Sequence, residues 1–306
     1  MSEPVTRFLV GPREGGKRLD QFLHERIPGL SRTRIQRAIR ERVTLSWAGV
    51  ARPSTPVRAG GEVRIGYTPL AETPLEIEIP VLVRAPGWLA VDKPPVLPVH
   101  PVNRIRENTL IRILRRQEGD EDLRLVHRLD RETSGALIVA REGTTASLLS
   151  RAFLRGRVHK EYLAWVAGRI ERDEGEIDLA IGKDEASTIW VKQAGGHGRP
   201  ARTGYRVERR GADRTLVRLF PETGRRHQLR VHLAAIGHPI LGDLLYGRPE
   251  ADYLALVRGD GDARVASAGP TRQLLHCARL VFPDPAGGPE QEVVAPVPSD
   301  FALDPG

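Results

Sequence analysis

Two apolar stretches, residues 123–126 (with Arg124 interposed) and 136–140, enclose one polar run. It reads His127-Arg128-Leu129-Asp130-Arg131-Glu132-Thr133-Ser134-Gly135. That pattern is a strand–loop–strand junction. A single carboxylate, Asp130, sits among arginines on the loop. Nearby positive charge favours the ionised form of a carboxylate. An ionised carboxylate held on a short loop by two strands can act as a nucleophile. A solvated turn with ordinary surface ion pairs competes with that reading, because perturbed carboxylates are often structural.

The remaining sequence narrows the choice. With 306 residues, 40% of them hydrophobic, the chain can bury a sizeable core in one or two domains. Its single cysteine, Cys277, excludes an intrachain disulfide framework and a cysteine-based zinc site. No apolar run approaches the roughly 20 residues that span a bilayer, and the N-terminus lacks a signal-peptide core. A soluble cytoplasmic protein with no membrane partner is expected. The formal net charge of +8 is unevenly placed: residues 1–70 hold 13 Lys/Arg against 6 Asp/Glu. A basic N-terminal unit on a near-neutral body points to a polyanion, most simply nucleic acid. Added arginine for solubility is the competing reading.

The N-terminal unit reads as two helices followed by short strands. Leu19, Phe22 and Leu23 recur at helical spacing, and Pro28-Gly29 end that helix. Ser31 suits the N-cap of the next helix, whose apolar stripe is Ile35, Ala38 and Ile39. Arg32, Arg34, Arg37 and Arg40 fall largely on its other face, which suits phosphate contact. Strands are expected at 43–47, around Val57 and at 63–65, separated by Ala48-Gly49 and Gly60-Gly61 turns. The expected division is a small α/β unit over 1–68, a proline-containing linker over 69–80 that runs into the first strand, and a body over 75–306.

In the body, strands are expected at 81–83 and 88–91 about a Pro86-Gly87 turn, then at 162–167, 188–191, 203–207 and 215–220. Helices are expected at 109–116, 146–154 and 225–236, the last capped by Gly237 with Pro239 after it. Residues 259–270 read as a surface loop. The fold class is α+β: a mixed, largely antiparallel sheet with flanking helices.

Two further clusters carry chemistry. Thr223-Gly224-Arg225-Arg226-His227-Gln228-Leu229-Arg230-Val231-His232 opens a helix, whose free N–H groups and dipole suit an anion. Arg226 and Arg230 share a face. An amphipathic helix with a solvated basic side explains the same residues equally well. His227 and His232 are five apart and diverge around the helix, which disfavours a shared metal. The third cluster, Lys160-Glu161-Tyr162-Leu163-Ala164-Trp165-Val166-Ala167-Gly168, brings Tyr162 into a strand. Its ring could stack on an extruded base, although most such tyrosines are half-buried strand residues.

The three clusters, in this order, resemble the RluA-type pseudouridine synthases. Asp92-Lys93-Pro94-Pro95, His100-Pro101, Gly237-His238-Pro239-Ile240-Leu241-Gly242-Asp243, Tyr246-Gly247 and Leu275-His276 extend the resemblance, which covers roughly residues 75–283. Residues 17–66 more loosely resemble a ribosomal-protein-S-four-like RNA-binding domain, with Arg42 and Trp47-Ala48-Gly49 departing from the usual turn. The resemblance implies isomerisation of uridine to pseudouridine within RNA, without cofactor or metal. It implies Asp130 as nucleophile, Tyr162 as stacking face and candidate proton carrier, and Arg230 as partner of Asp130. A buried nucleophilic carboxylate does need a counter-charge. Arg128 would help open the RNA stack, and His127, Arg225, Gln228, Arg32, Arg34 and Arg37 are further candidates for substrate contact. The expected partner is large-subunit ribosomal RNA or its precursor particle, bound by a monomer. Two rivals remain: a non-catalytic RNA-binding or ribosome-assembly factor, and a glycosidase-like hydrolase. The hydrolase would need a second carboxylate, for which no strong candidate stands out.

Overall fold

The computed structural model describes residues 5–27, 32–47, 49–66, 72–102, 105–258, 270 and 272–302. The chain divides into two compact units, Met1–Ala71 and Glu72–Gly306. Pro28-Gly29, Ser31, Ala48, the start of the expected linker and nearly all of the expected loop at 259–270 lie outside the described residues.

The first unit runs β1 (Val5–Leu9), α1 (Leu19–Arg26), α2 (Arg32–Arg42), β2 (Val43–Leu45) and β3 (Glu62–Gly66). The strands form an antiparallel sheet in the order β1-β3-β2. Leu19, Phe22 and Leu23 of α1 and Ile35 and Ile39 of α2 close over Val43, Val57 and Val63. The apolar spacing read from the sequence is therefore the buried face. Around Val57 there is no strand: Pro56 forms an isolated bridge with Arg18, and lacking an N–H it cannot extend a ladder. Asp20, fully buried on α1, ties the helices together by accepting from Arg18 and from Gln36 Nε2 at 3.0 Å.

The second unit begins with the hairpin β4 (Val81–Ala85) and β5 (Trp88–Lys93), turning at Pro86-Gly87 as expected. It continues α3 (Leu110–Glu118), β6 (Arg124–Leu125), β7 (Ser134–Ala140), α4 (Gly143–Leu154), β8 (His159–Ala167), β9 (Glu174–Asp178), β10 (Ile181–Lys183), β11 (Gln193–Gly195), β12 (Arg202–Arg210) and β13 (Arg214–Pro221). It ends with α5 (Gln228–Ala235), α6 (Glu250–Arg258), β14 (Leu275–Phe282) and β15 (Gln291–Val294). The large sheet is ordered β4-β5-β7-β14-β8-β13-β12-β9, with β6 on β7 and β15 on β14. Its pairs are antiparallel except β7 with β14. This is the mixed, largely antiparallel sheet that the sequence predicts. Leu110, Ile113 and Leu114 of α3 and Leu149 of α4 pack with Leu89, Val91, Leu137 and Val139 of the sheet, and Leu229 and Leu233 of α5 pack with Val217 and Leu219. Among the described residues no helix is long and apolar enough to cross a membrane.

In this unit two expectations are corrected. Residues 188–191 form no strand; Lys192 N–H donates to Ile189 O, which closes a turn, and the neighbouring hairpin is β10 with β11. The helix expected over 225–236 begins only at Gln228, because His227 sits in the left-handed region at φ 57°. Its C-terminal end matches the sequence reading. Gly237 has φ 84°, and His238 N–H reaches Leu233 O at 2.9 Å, the bond that closes a Schellman end.

Candidate active site

Asp130 lies on the loop between β6 and β7, and four separate groups brace that loop. Lys93, fully buried at the end of β5, donates from Nζ to Pro94 O, Leu97 O and Arg131 O at 2.8, 2.9 and 3.0 Å. These three carbonyls match the three N–H donors of an ammonium. Burial pushes the Lys93 pKa down to about 7, against the pull of Asp130. Gln273 donates to Thr133 Oγ1 at 2.7 Å and through its backbone to Glu132 Oε2 at 3.2 Å. Arg272, bidentate on Asp300, also reaches Glu132 O. His127 Nε2 accepts the Ile138 N–H at 2.9 Å while its ring stacks on Phe153. It fills the acceptor position where β7 leaves β14 at residues 134–135 and has not yet reached its pairing with β6 at 139–140.

Asp130 meets Arg230 on α5. Arg230 Nη1 donates to Asp130 Oδ2 at 3.0 Å, while Nε and Nη2 grip Asp243 at 2.6 and 2.9 Å. Asp243 is fully buried and also accepts the backbone N–H groups of Leu245 and Tyr246. The Arg230 guanidinium lies 5.0 Å over the Tyr246 ring. Tyr246 in turn shares a 2.8 Å hydrogen bond with His227 Nδ1, and His227 Nε2 is 3.9 Å from Asp130. The left-handed turn at His227 swings its ring to this position. Burial, aided by Arg230, lowers the His227 pKa to about 4, so the imidazole is neutral.

Burial of Asp130 works to raise its pKa. Arg230 outweighs that, with His227 and Arg128 adding to it, and the carboxyl titrates below its ordinary range. Its side chain keeps 23% exposure. Among the described residues Arg230 is the one side-chain donor to this carboxylate, and Oδ1 takes no hydrogen bond. Asp130 is thus ionised, anchored at one oxygen and open at the other. Tyr162, half-buried on β8, lies opposite Cys277 in the β8–β14 pairing. Burial, then the Cys277 contact, hold the phenol well above its usual pKa.

The structure therefore joins Asp130 to Arg230, sets Tyr162 in the sheet row Tyr162–Cys277–Gly135 that follows the Asp130 loop, and leaves Arg128 exposed on that loop. Arg225 is half-buried, its Nε donating to Pro200 O at 2.9 Å. Gln228 does not reach the site. Its Oε1 accepts from Thr223 and Arg225, its Nε2 donates to Arg202 O and Thr203, and its amide has no capacity left for substrate. His127 Nε2 is likewise committed to Ile138. Asp243, His227, Tyr246 and Lys93 belong to the site without having been singled out as its working residues. The Gly242-Asp243 and Tyr246-Gly247 motifs were the available signal.

In the first unit, Arg32 reaches Asp20 at 3.4 Å and Arg37 pairs with Glu41 at 2.9 Å. The Arg34 side chain is outside the described residues. A groove of about 570 Å³ is lined by Arg18, Gln36, Arg40, Val50 and Arg52. Arg40 and Arg52 have no carboxylate partner there among the described residues.

Residues 87–235 match the family described as RNA pseudouridylate synthase. An uncharacterized RNA pseudouridine synthase of Chloroflexus aurantiacus is 35% identical, over 96% of this chain and 91% of its own length. Ribosomal large subunit pseudouridine synthase D of Nitrosomonas europaea is 34% identical over 98% and 87%. Synthase C of Haemophilus ducreyi is 30% identical over 97% and 93%. Among solved structures, human RNA Pseudouridylate Synthase Domain Containing 1 superposes with a TM-score of 0.62 at 30% identity, covering 76% of this chain and 89% of that one.

Proposed function

The chain belongs to the RluA-type family of RNA pseudouridine synthases, and from that premise we propose that it isomerises specific uridines of large-subunit ribosomal RNA, with Asp130 as nucleophile on a flipped base. The family is one of RNA isomerases. The reaction breaks the bond from ribose to a base nitrogen and makes one to a base carbon. That carbon loses a proton and the nitrogen gains one, so no oxidant or second substrate is consumed.

One observation carries the assignment of Asp130. Its counter-charge, Arg230, is otherwise committed to Asp243, and Asp130 keeps one carboxylate oxygen free on an exposed edge. A carboxylate neutralised in full by a bidentate arginine would be a poor nucleophile; this one is held ionised by a single bond. Asp243, fully buried and gripped by Arg230, cannot serve as the second carboxylate of a glycosidase. Tyr162 offers the face for the uracil. Its raised pKa keeps the phenol protonated, so it can carry a proton only by exchanging one. Arg128, exposed and unpaired among the described residues, suits the space that the flipped base leaves.

We further propose that residues 1–68 form the ribosomal-protein-S-four-like RNA-binding domain, with Arg40 and Arg52 as its phosphate contacts. Their lack of carboxylate partners supports this over Arg32 and Arg37, which are paired. The names of the synthase D and C relatives favour ribosomal RNA as substrate. The test is a transcriptome-wide pseudouridine map with and without the gene. Sites in large-subunit ribosomal RNA should vanish in the deletion. Disappearance confined to transfer RNA would overturn the substrate, and an unchanged map would favour the non-catalytic assembly factor.

A further inference from the structure

Among the described residues Trp190 is the one aromatic side chain that is mostly exposed, at 65%. The flanking residues Ile189 and Val191 turn inward and pack with Val231, Leu245 and Tyr246. Trp190 therefore stands on the tip of a turn, closed by the 2.9 Å bond from Lys192 N–H to Ile189 O, whose neighbours are fixed in a core. A large ring held out in water by a rigid turn offers a face on which a base can stack. Its surroundings suit a nucleotide. Lys183 Nζ lies 5.3 Å over the Trp190 ring. Further along the same hairpin, Arg199 is exposed and presses its charge on Arg225, whose pKa is lowered by burial and then by Arg199. Arg225 Nε donates to Pro200 O at 2.9 Å, directly after Arg199, and neither arginine has a carboxylate in ion-pair reach among the described residues, which suits an anion such as phosphate.

The turn is also wired to the candidate site. Lys183 pairs across the hairpin with Gln193, and the Gln193 N–H donates to Tyr246 OH at 3.0 Å. Tyr246 packs under Arg230, the partner of Asp130. We propose that Trp190 and Lys183 form a stacking platform for an unpaired base flanking the target uridine, with Arg199 and Arg225 taking the adjoining phosphate. This rests on the reading of the chain as an RNA isomerase. Base–aromatic stacking tolerates any base, so the platform would hold the strand in place without choosing the sequence.

The test uses the full chain and an in vitro transcript of large-subunit ribosomal RNA. It measures RNA affinity by filter binding together with KM and kcat for pseudouridine formation. Trp190→Ala should raise Kd and KM roughly 5- to 100-fold and leave kcat within about twofold, as removal of one stacked base does. Trp190→Phe, which keeps a stacking face, should stay within about threefold of wild type. Unchanged Kd in Trp190→Ala overturns the platform. So does a Trp190→Phe variant as weak as Trp190→Ala, and so does a defect seen on assembled subunits but not on naked RNA, which would make Trp190 a protein contact. A wild-type chain that binds through Trp190 yet makes no pseudouridine leaves the platform standing and defeats the isomerase reading instead.

Discussion

Arg230 serves two carboxylates unequally, and that inequality can be measured. Arg230→Met leaves Asp243 buried and unpaired and should cost about 3–5 kcal/mol of stability. In double-mutant cycles Arg230 should couple to Asp243, its bidentate and fully buried partner, by about 2 kcal/mol or more, and to Asp130 by clearly less. Equal couplings would mean that Asp130 is no freer than Asp243. The pH profile gives a second check. Asp130 titrates below its ordinary value and His227 near about 4, so both keep their working forms down to mildly acid pH. Turnover at saturating RNA should show no acid limb down to about pH 5, and an acid limb centred at about 6.5 would put a titrating histidine in the reaction. The meeting of Asp130 with Arg230 was legible because motif order marks both residues. Asp243, His227 and Lys93 were not, because their roles depend on partners that meet only in space. The hydrogen bonds that occupy Gln228 and His127 Nε2 were hidden for a related reason: sequence shows a polar side chain but not where its hydrogen bonds go.

At the scale of elements, the site depends on a close approach of β14 to β7 directly after the Asp130 loop. Gly135 has φ 108°, and a Cβ there would overlap the Cys277 backbone. Gly135→Ala should destabilise the second unit by roughly 2 kcal/mol or more, through both the left-handed backbone and the overlap. Thermal melts of that variant within a degree of wild type would show that the parallel pairing can move away at no cost. Gly242, at φ 76° beside Asp243, faces the Arg272 carbonyl in the same way, so both charged arms of the site rest on glycines. The hairpin at Pro86-Gly87 and the end of α5 at Gly237 were readable because turn chemistry is local. β14 was not anticipated, since its place between β7 and β8 is set by long-range pairing. Nor was the late start of α5, since nothing in Arg225-Arg226-His227 announces a left-handed histidine.

At the scale of the whole molecule, the charge is divided between two tasks. Residues 1–70 carry 13 Lys/Arg against 6 Asp/Glu, while the second unit is close to neutral. Deleting residues 1–71 should leave the second unit, with its own core, folded but weaker for RNA and less salt-dependent. Every RNA phosphate that the shortened chain no longer neutralises should flatten the log–log salt slope by roughly 0.7–0.9. Parallel slopes over a salt series would mean that Arg40, Arg52 and their neighbours do not touch the backbone. The uneven charge was plain in the sequence. Which arginines remain unpaired was not, because the Asp20 and Glu41 pairings of Arg32 and Arg37 need the folded helices. The central claim, that Asp130 performs the isomerisation, is tested most directly with large-subunit ribosomal RNA from cells lacking the gene. Purified wild type and Asp130→Asn are each incubated with that RNA, and pseudouridine is quantified at the sites that the deletion leaves unmodified. Wild type should restore them. Asp130→Asn should be slower by about a thousandfold or more while binding RNA within about threefold of wild type, as expected when a nucleophile loses its charge but keeps its shape. Restoration by Asp130→Asn at a rate within about tenfold of wild type would contradict the account.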